Sequence, residues 1–218
     1  MIIQFMSIKI QAFTFNPFGE NTYLLFDESH EAVIVDPGCY DKGEQDTLFA
    51  FITEHNLKPV MIINTHAHID HVLGVAAVKR KYDIPFLLHR LDEPLLKAVK
   101  TYASNYGFAQ FDEPAIDDYI KEGEDLLFGH SRLEVRFVPG HAPGHVAFID
   151  HMGKQIIGGD VLFRQSIGRT DLPGGDMNIL LNSIRMQLFT LPDEYKVYAG
   201  HMEPTSIGFE KQYNPFLR

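Results

Sequence analysis

One cysteine, Cys39, stands in 218 residues. An internal disulfide is therefore excluded, and a single thiol fits a reducing compartment. Basic residues are scarce as well, with 19 Lys and Arg against 29 Asp and Glu and a formal net charge of -10. A nucleic-acid binder held by a basic face is disfavoured by that balance. No stretch approaches the roughly 18 apolar residues of a membrane span. The opening Met1-Ile2-Ile3-Gln4-Phe5-Met6 has no basic segment and no small-residue cleavage site, so no leader is expected there. Low-complexity linkers and fixed-period repeats are missing too. The expectation is one cytoplasmic domain over residues 1–218, a monomer or homo-oligomer, with no nucleic acid and no membrane. Hydrophobic residues make up 45%, enough at this length for a sizeable core.

What is present concentrates in Thr65-His66-Ala67-His68-Ile69-Asp70-His71. Three imidazoles and a carboxylate fall within six positions, directly after the apolar run Val60-Met61-Ile62-Ile63. Such a run reads as a buried strand, and a loop at a strand's end is a common place for a site in an α/β protein. Neutral imidazole and carboxylate are donors that borderline metals such as zinc accept. Three later segments repeat one grammar of strand, glycine and ligand-type residue. Arg136-Phe137-Val138 leads to Gly140-His141, Gln155-Ile156-Ile157 to Gly159-Asp160, and Val197-Tyr198-Ala199 to Gly200-His201. Glycine lets the backbone turn tightly and approach a metal closely. His30, His55, His89, His130 and His151 lack that context and are read as surface or packing residues.

Elsewhere, alternation predicts strands at 8–15, 22–26, 32–35, 60–63, 85–88, 125–128, 133–138, 146–149, 155–157 and 196–199. Helical spacing predicts helices at 44–55, 72–82 with its N-terminus at the histidine loop, 92–107, 179–189 and 207–213. Residues 108–123 read as a surface excursion. Strand-rich then helical stretches occur twice, which fits two sheets face to face with helices outside.

Taken together, His66-x-His68-x-Asp70-His71, Gly-His141, Gly-Asp160 and Gly-His201 resemble the metallo-β-lactamase superfamily. Within it the likeness is to glyoxalase II, the hydroxyacylglutathione hydrolase, and to its short single-domain relatives. Gly159-Asp160-Val161-Leu162-Phe163, Ile167-Gly168-Arg169-Thr170-Asp171 and Asn214-Pro215-Phe216-Leu217 resemble those short relatives in particular. The resemblance implies an α/β fold of αββα sandwich type. It implies His66, His68 and His141 on one divalent metal, Asp70, His71 and His201 on a second, and Asp160 on both, with Asp70 and Asp160 as catalytic carboxylates. Zinc is the first expectation, with iron or manganese as alternatives. Two cations about 3.5 Å apart can hold a hydroxide that attacks a small-molecule thioester such as S-D-lactoylglutathione, or an ester. Arg169 is expected on the substrate, or paired with Asp171. His145 is expected behind the ligands, and Cys39 is read as structural.

The sequence departs from the family after the last ligand. The usual His-Gly-Pro is His201-Met202-Glu203-Pro204 here, with an added side chain and an added acid. Full glyoxalase II also carries a C-terminal helical region with basic residues that help bind glutathione. This sequence runs to Arg218, so a cleft without that clamp is expected. The alternative activity is that of persulfide dioxygenases, which share the histidine motif and a Gly-Arg-Thr-Asp stretch and use one iron.

Overall fold

The computed structural model describes residues 5–218, so the first four residues of the leader reading lie outside the described residues. The first half alternates strands with helices: β1 Lys9–Phe15, β2 Glu20–Phe26, β3 Glu31–Val35, α1 Lys42–Glu54, β4 Lys58–Ile63, α2 Ile69–Val72, α3 Val75–Tyr82, β5 Phe86–His89, α4 Glu93–Tyr102 and β6 Asp118–Ile120. The second half begins with β7 Asp125–Phe128, β8 Ser131–Phe137, β9 Val146–Asp150 and β10 Gln155–Gly159. A small hairpin follows, β11 Leu162–Phe163 with β12 Ser166–Ile167. Then come α5 Met177–Ser183, β13 Lys196–Ala199, β14 Thr205–Ser206 and α6 Ile207–Tyr213.

One sheet has the order β1-β2-β3-β4-β5-β6 and the other β14-β13-β10-β9-β8-β7. Side chains of a strand alternate between its two faces, and here both faces are apolar. Val33 and Val35 of β3 meet Val146 and Phe148 of β9 in a core between the sheets. Ala32 and Ile34 face the other way, onto Leu48 and Ile52 of α1 and Leu96 and Val99 of α4. Ala147 and Ile149 of β9 likewise turn outward, onto Leu180 of α5 and Ile207 of α6. Two sheets with three apolar layers make the αββα sandwich. Each fully buried Leu, Ile or Phe contributes roughly 1.5–3 kcal/mol.

Local chemistry sets the helix ends. Asp41 caps α1 through a reciprocal box with Glu44. Asp176 and Ser206 accept from the backbone N–H groups of Ile179 and Phe209 at the starts of α5 and α6. Among the described residues no helix is long and apolar enough to cross a membrane.

Four expectations change. The helix expected over 92–107 is α4, ending at Tyr102, followed by a 3-10 turn, Ala103–Tyr106. The helix expected over 72–82 is two: α2 starts inside the histidine motif, and the chain breaks at Leu73-Gly74 before α3. Gly74 lies so close to Cys39 Sγ and Pro37 O that a Cβ there would strike both, which fixes the break. The stretch 108–123 is not wholly excursion, because β6 extends the first sheet by parallel pairing with β5. The helix expected over 179–189 is α5 followed by a π-helical turn, Ile184–Leu188.

Candidate metal centre

β4 and β10 end at the same edge of the sandwich. β4 delivers His66, His68, Asp70 and His71, and β10 delivers Asp160. The loop after β8 brings His141, and the loop after β13 brings His201. Two donor groups result, His66 with His68 and His141, and Asp70 with His71 and His201, each able to present atoms within 4.8 Å of one another. Asp160 lies between them. Its Oδ2 is 3.5 Å from His141 Nε2 and 3.4 Å from His201 Nε2, and its Oδ1 is 3.5 Å from His71 Nε2. All seven ligand-type residues read from the sequence therefore meet at one place.

Hydrogen bonds behind four of the rings fix which nitrogen faces inward. His141 Nδ1–H donates to Arg169 O at 2.8 Å and His201 Nδ1–H to Gly19 O at 3.2 Å. His71 Nδ1–H donates to Asp36 Oδ2 at 3.1 Å. The Thr65 hydroxyl gives its proton to Asp36, so its oxygen accepts from His66 Nδ1–H at 3.0 Å. Each ring thus turns Nε2 towards the centre. His68 is the exception, with Nδ1 facing His141 Nε2 at 2.8 Å. The Nε2 atoms of His66 and His71 and Oδ1 of Asp160 are buried without hydrogen-bond partners. Buried polar groups are normally paired, so such a cluster of orphans is what a cation would satisfy. The donors are all nitrogen and oxygen, and they fit two divalent ions.

The electrostatics differ between the groups. Burial pushes His66 well below the usual imidazole range, His68 down to about 3, and His141 down. Burial also works against charge on His71 and His201. The Asp70 and Asp160 carboxylates overcome it, holding His71 well above the usual range and His201 up at about 10. In return, Asp70 and Asp160 lie below the usual carboxylate range despite burial, held there chiefly by His71.

Glycine is required at two ligand positions. Gly159 adopts φ +51, and a Cβ there would strike Thr65 and His145; one at Gly200 would land on Asp160 Oδ1 and His71. His145 sits behind the ligands as expected. Its Nε2 accepts from the Asp160 backbone N–H at 3.0 Å, and its ring stacks on His66 with centroids 4.7 Å apart. Arg169 and Asp171 form a two-point pair, Nε to Oδ1 at 2.7 Å and Nη2 to Oδ2 at 2.8 Å, at the exposed rim. Cys39 is buried, and burial raises its thiol to about 12.

Sequence reasoning missed the carboxylates that brace the loops. Asp36 accepts from the Thr65 N–H at 2.7 Å as well as from His71, so its grouping with His66 and His71 is support behind the rings. Asp92 accepts from the Ala67 N–H at 2.9 Å and the Gly144 N–H at 2.5 Å, tying the His66–His68 loop to the His141 loop. Asn64 Nδ2 donates to His71 O at 2.7 Å. Asp36 stands before Pro37-Gly38 at the end of the strand expected over 32–35, a turn signal that says nothing of a brace; Asp92 carries no signal at all.

Known proteins share this fold. Residues 15–201 match the sequence profile of the Metallo-beta-lactamase superfamily, and the chain belongs to that family. Hydroxyacylglutathione hydrolase GloC of Haemophilus influenzae is 36% identical over 212 residues, covering 96% of this chain and 98% of its own. Among solved structures, the B3 metallo-β-lactamase BLEG-1 superposes with a TM-score of 0.88 at 35% identity, over 96% of this chain and 99% of its own. TTHA1623, solved in a di-iron-bound form, superposes with a TM-score of 0.85 at 40% identity, over 95% of this chain and 100% of its own.

Proposed function

We propose that the chain is a metal-dependent hydrolase of thioesters of the hydroxyacylglutathione type. The observation that carries this reading is the pair of adjoining donor groups that share Asp160, with no free nucleophile beside them; the one thiol, Cys39, is buried and held neutral. The likeness to GloC supports it. In this reading His66, His68 and His141 hold one divalent metal, Asp70, His71 and His201 a second, and Asp160 both. Zinc is the first choice and iron or manganese the alternatives. Bound metals would supply Lewis acidity and an activated water.

The chain's own residues do the rest. His145 aims the Asp160 backbone, Asp36 locks the tautomers of His66 and His71, and Arg169 O locks that of His141. Asp70 Oδ2, 3.1 Å from His201 Nε2, would stand with His71 and His201 on the second metal in this reading. Arg169 would meet a substrate carboxylate by exchanging its Asp171 partner for it. A small-molecule thioester is the only partner this reading needs, and a cytoplasmic setting suits the single free thiol.

The Gly168-Arg169-Thr170-Asp171 stretch favours a second reading, the single-iron persulfide dioxygenase. The test measures thiol release from S-D-lactoylglutathione, oxygen uptake with glutathione persulfide, β-lactam opening and metal per chain on one preparation. Thiol release with two metals per chain is the expected result. Oxygen uptake with one iron, or β-lactam opening without thiol release, would overturn it.

A further inference from the structure

The turn between β1 and β2 is fastened to the second donor group by the half-buried side chain of Asn16. Asn16 holds φ +50, a left-handed conformation that asparagine tolerates better than most residues. Its backbone N–H donates to Glu44 Oε1 at 2.6 Å, and Glu44 is itself fixed in the capping box of α1. Its Oδ1 accepts from the Phe18 N–H at 3.1 Å. Its Nδ2 donates to Gly38 O and to Asp70 O, each at 3.1 Å. Both amide protons are therefore spent.

The bond to Asp70 repairs a gap in the fold. In a continuing helix the Gly74 N–H would serve Asp70 O, but the break after α2 turns it to Pro37 O at 2.7 Å. The Asn16 amide takes its place. At the other end of the same turn, Gly19 donates its N–H to Asn16 O at 3.0 Å, and its carbonyl accepts from His201 Nδ1–H at 3.2 Å. One turn thus grips both the Asp70 peptide and the His201 ring, and Asp70 Oδ2 lies 3.1 Å from His201 Nε2. Among the described residues no side-chain bond of Asn16 reaches the first group, whose loops Asp92 ties together.

We infer that Asn16 is the positioning residue of the second donor group: its amide presets Asp70 and His201 for an ion, and so sets how tightly that ion is held. This rests on the assignment of Asp70, His71 and His201 to a second ion in the reading above. A ligand already held in place loses less freedom when the ion arrives. A partner behind a metal ligand typically contributes about 10- to 100-fold in affinity. His71 has its own brace in Asp36, so loss of the Asn16 amide loosens the other two ligands and spares that one.

The test is a cobalt titration of metal-free protein, read by calorimetry and visible absorbance against a competing chelator. It uses no thioester, so its outcome does not depend on whether one is cleaved. His201→Ala, which deletes a ligand of the second group alone, assigns the steps. Asn16→Gly keeps the left-handed backbone and removes the amide, whereas Asn16→Asp keeps the size and turns an acceptor oxygen on two carbonyls. Both should weaken the second ion by about 10- to 100-fold and leave the first as in the wild type. A general loosening of the fold would weaken both ions, so the first ion serves as the reference even where the thermal midpoint falls. With two ions on the wild-type chain, equal weakening of both in the variants, or weakening of neither, would overturn the role of Asn16 alone. A wild-type chain that takes up one ion only would overturn it together with the two-ion reading.

Discussion

His66, His68 and His141 are kept neutral by burial, whereas His71 and His201 are kept charged by Asp70 and Asp160. The same side chain is used in opposite states a few ångströms apart. The first group is neutral and can meet a cation without losing a net proton. The second is an ion-pair cluster that satisfies itself with protons until a cation replaces them. A buried carboxylate pair such as Asp70 and Asp160 survives in a metal-free chain because those imidazolium partners stand beside it.

The largest test of that contrast removes the residue shared by both groups. Asp160→Ala should lower kcat/KM well beyond the roughly 100-fold upper range for residues behind a metal ligand, and should reduce metal content at both groups. His145→Ala should stay within about 10- to 100-fold and keep its metal. Equal losses in the two variants would place His145 among the ligands.

A more selective break is Asp92→Asn. An amide supplies one acceptor oxygen for the two N–H groups that Asp92 now serves. The first group should bind metal about 10- to 100-fold more weakly while the second is spared, read by chelator competition in two steps. Uniform weakening would show that Asp92 supports the whole edge and not one half of the centre.

Proton counting sharpens the contrast further. Filling the second group near neutral pH should release about two protons and filling the first none, measured by calorimetry in buffers of different ionisation heat. Stability of the metal-free chain follows the same logic. The lowered imidazoles contribute fully above the unfolded value of about 6.5, and that contribution is lost as pH falls below it. The raised ones contribute fully below about 6.5 and lose that contribution as pH climbs, through about 10 for His201. The thermal midpoint of metal-free protein should therefore peak near pH 6.5, and the alkaline fall should shrink once metal is added. A flat profile would deny the charge difference.

The smallest effect concerns the second group's own loop. Met202 holds φ +62 directly after His201. A left-handed conformation costs an L-residue about 1–2 kcal/mol, of which about 0.5–1 is offset by the backbone entropy that glycine would lose. Met202→Gly should raise the thermal midpoint by about 2–4 °C. A lower midpoint would show that the Met202 side chain holds the loop.

The ligands were legible because each follows an apolar strand and, outside the histidine motif, a glycine, and a close backbone approach demands that glycine at 159 and 200. The layers were legible from alternation, as Val33 and Ile34 show by facing different cores. β6 was not, because Asp118-Tyr119-Ile120 becomes a strand through its partner β5 and carries no alternation of its own. Asp36 and Asp92 were not, because a carboxylate that braces backbone N–H groups or a ring Nδ1 leaves no spacing signature. The Arg169–Asp171 pairing was readable from their separation of two.

The His201 loop is fastened to the beginning of the chain. Asn21 Nδ2 donates to Ala199 O and Met202 O, across 178 and 181 residues, and Tyr23 Oη donates to Ala199 O. Closure of so long a segment carries an entropic penalty before its contacts form, so this junction belongs to the final stage of folding. During synthesis 182 residues separate Gly19 from His201, so the second donor group cannot assemble until the ribosome has made residue 201. Loading of that group then serves as a check that β2 and β13 have met. In refolding with cobalt, the visible absorbance of the second ion should lag behind the recovery of far-ultraviolet dichroism, and simultaneous recovery would contradict this order.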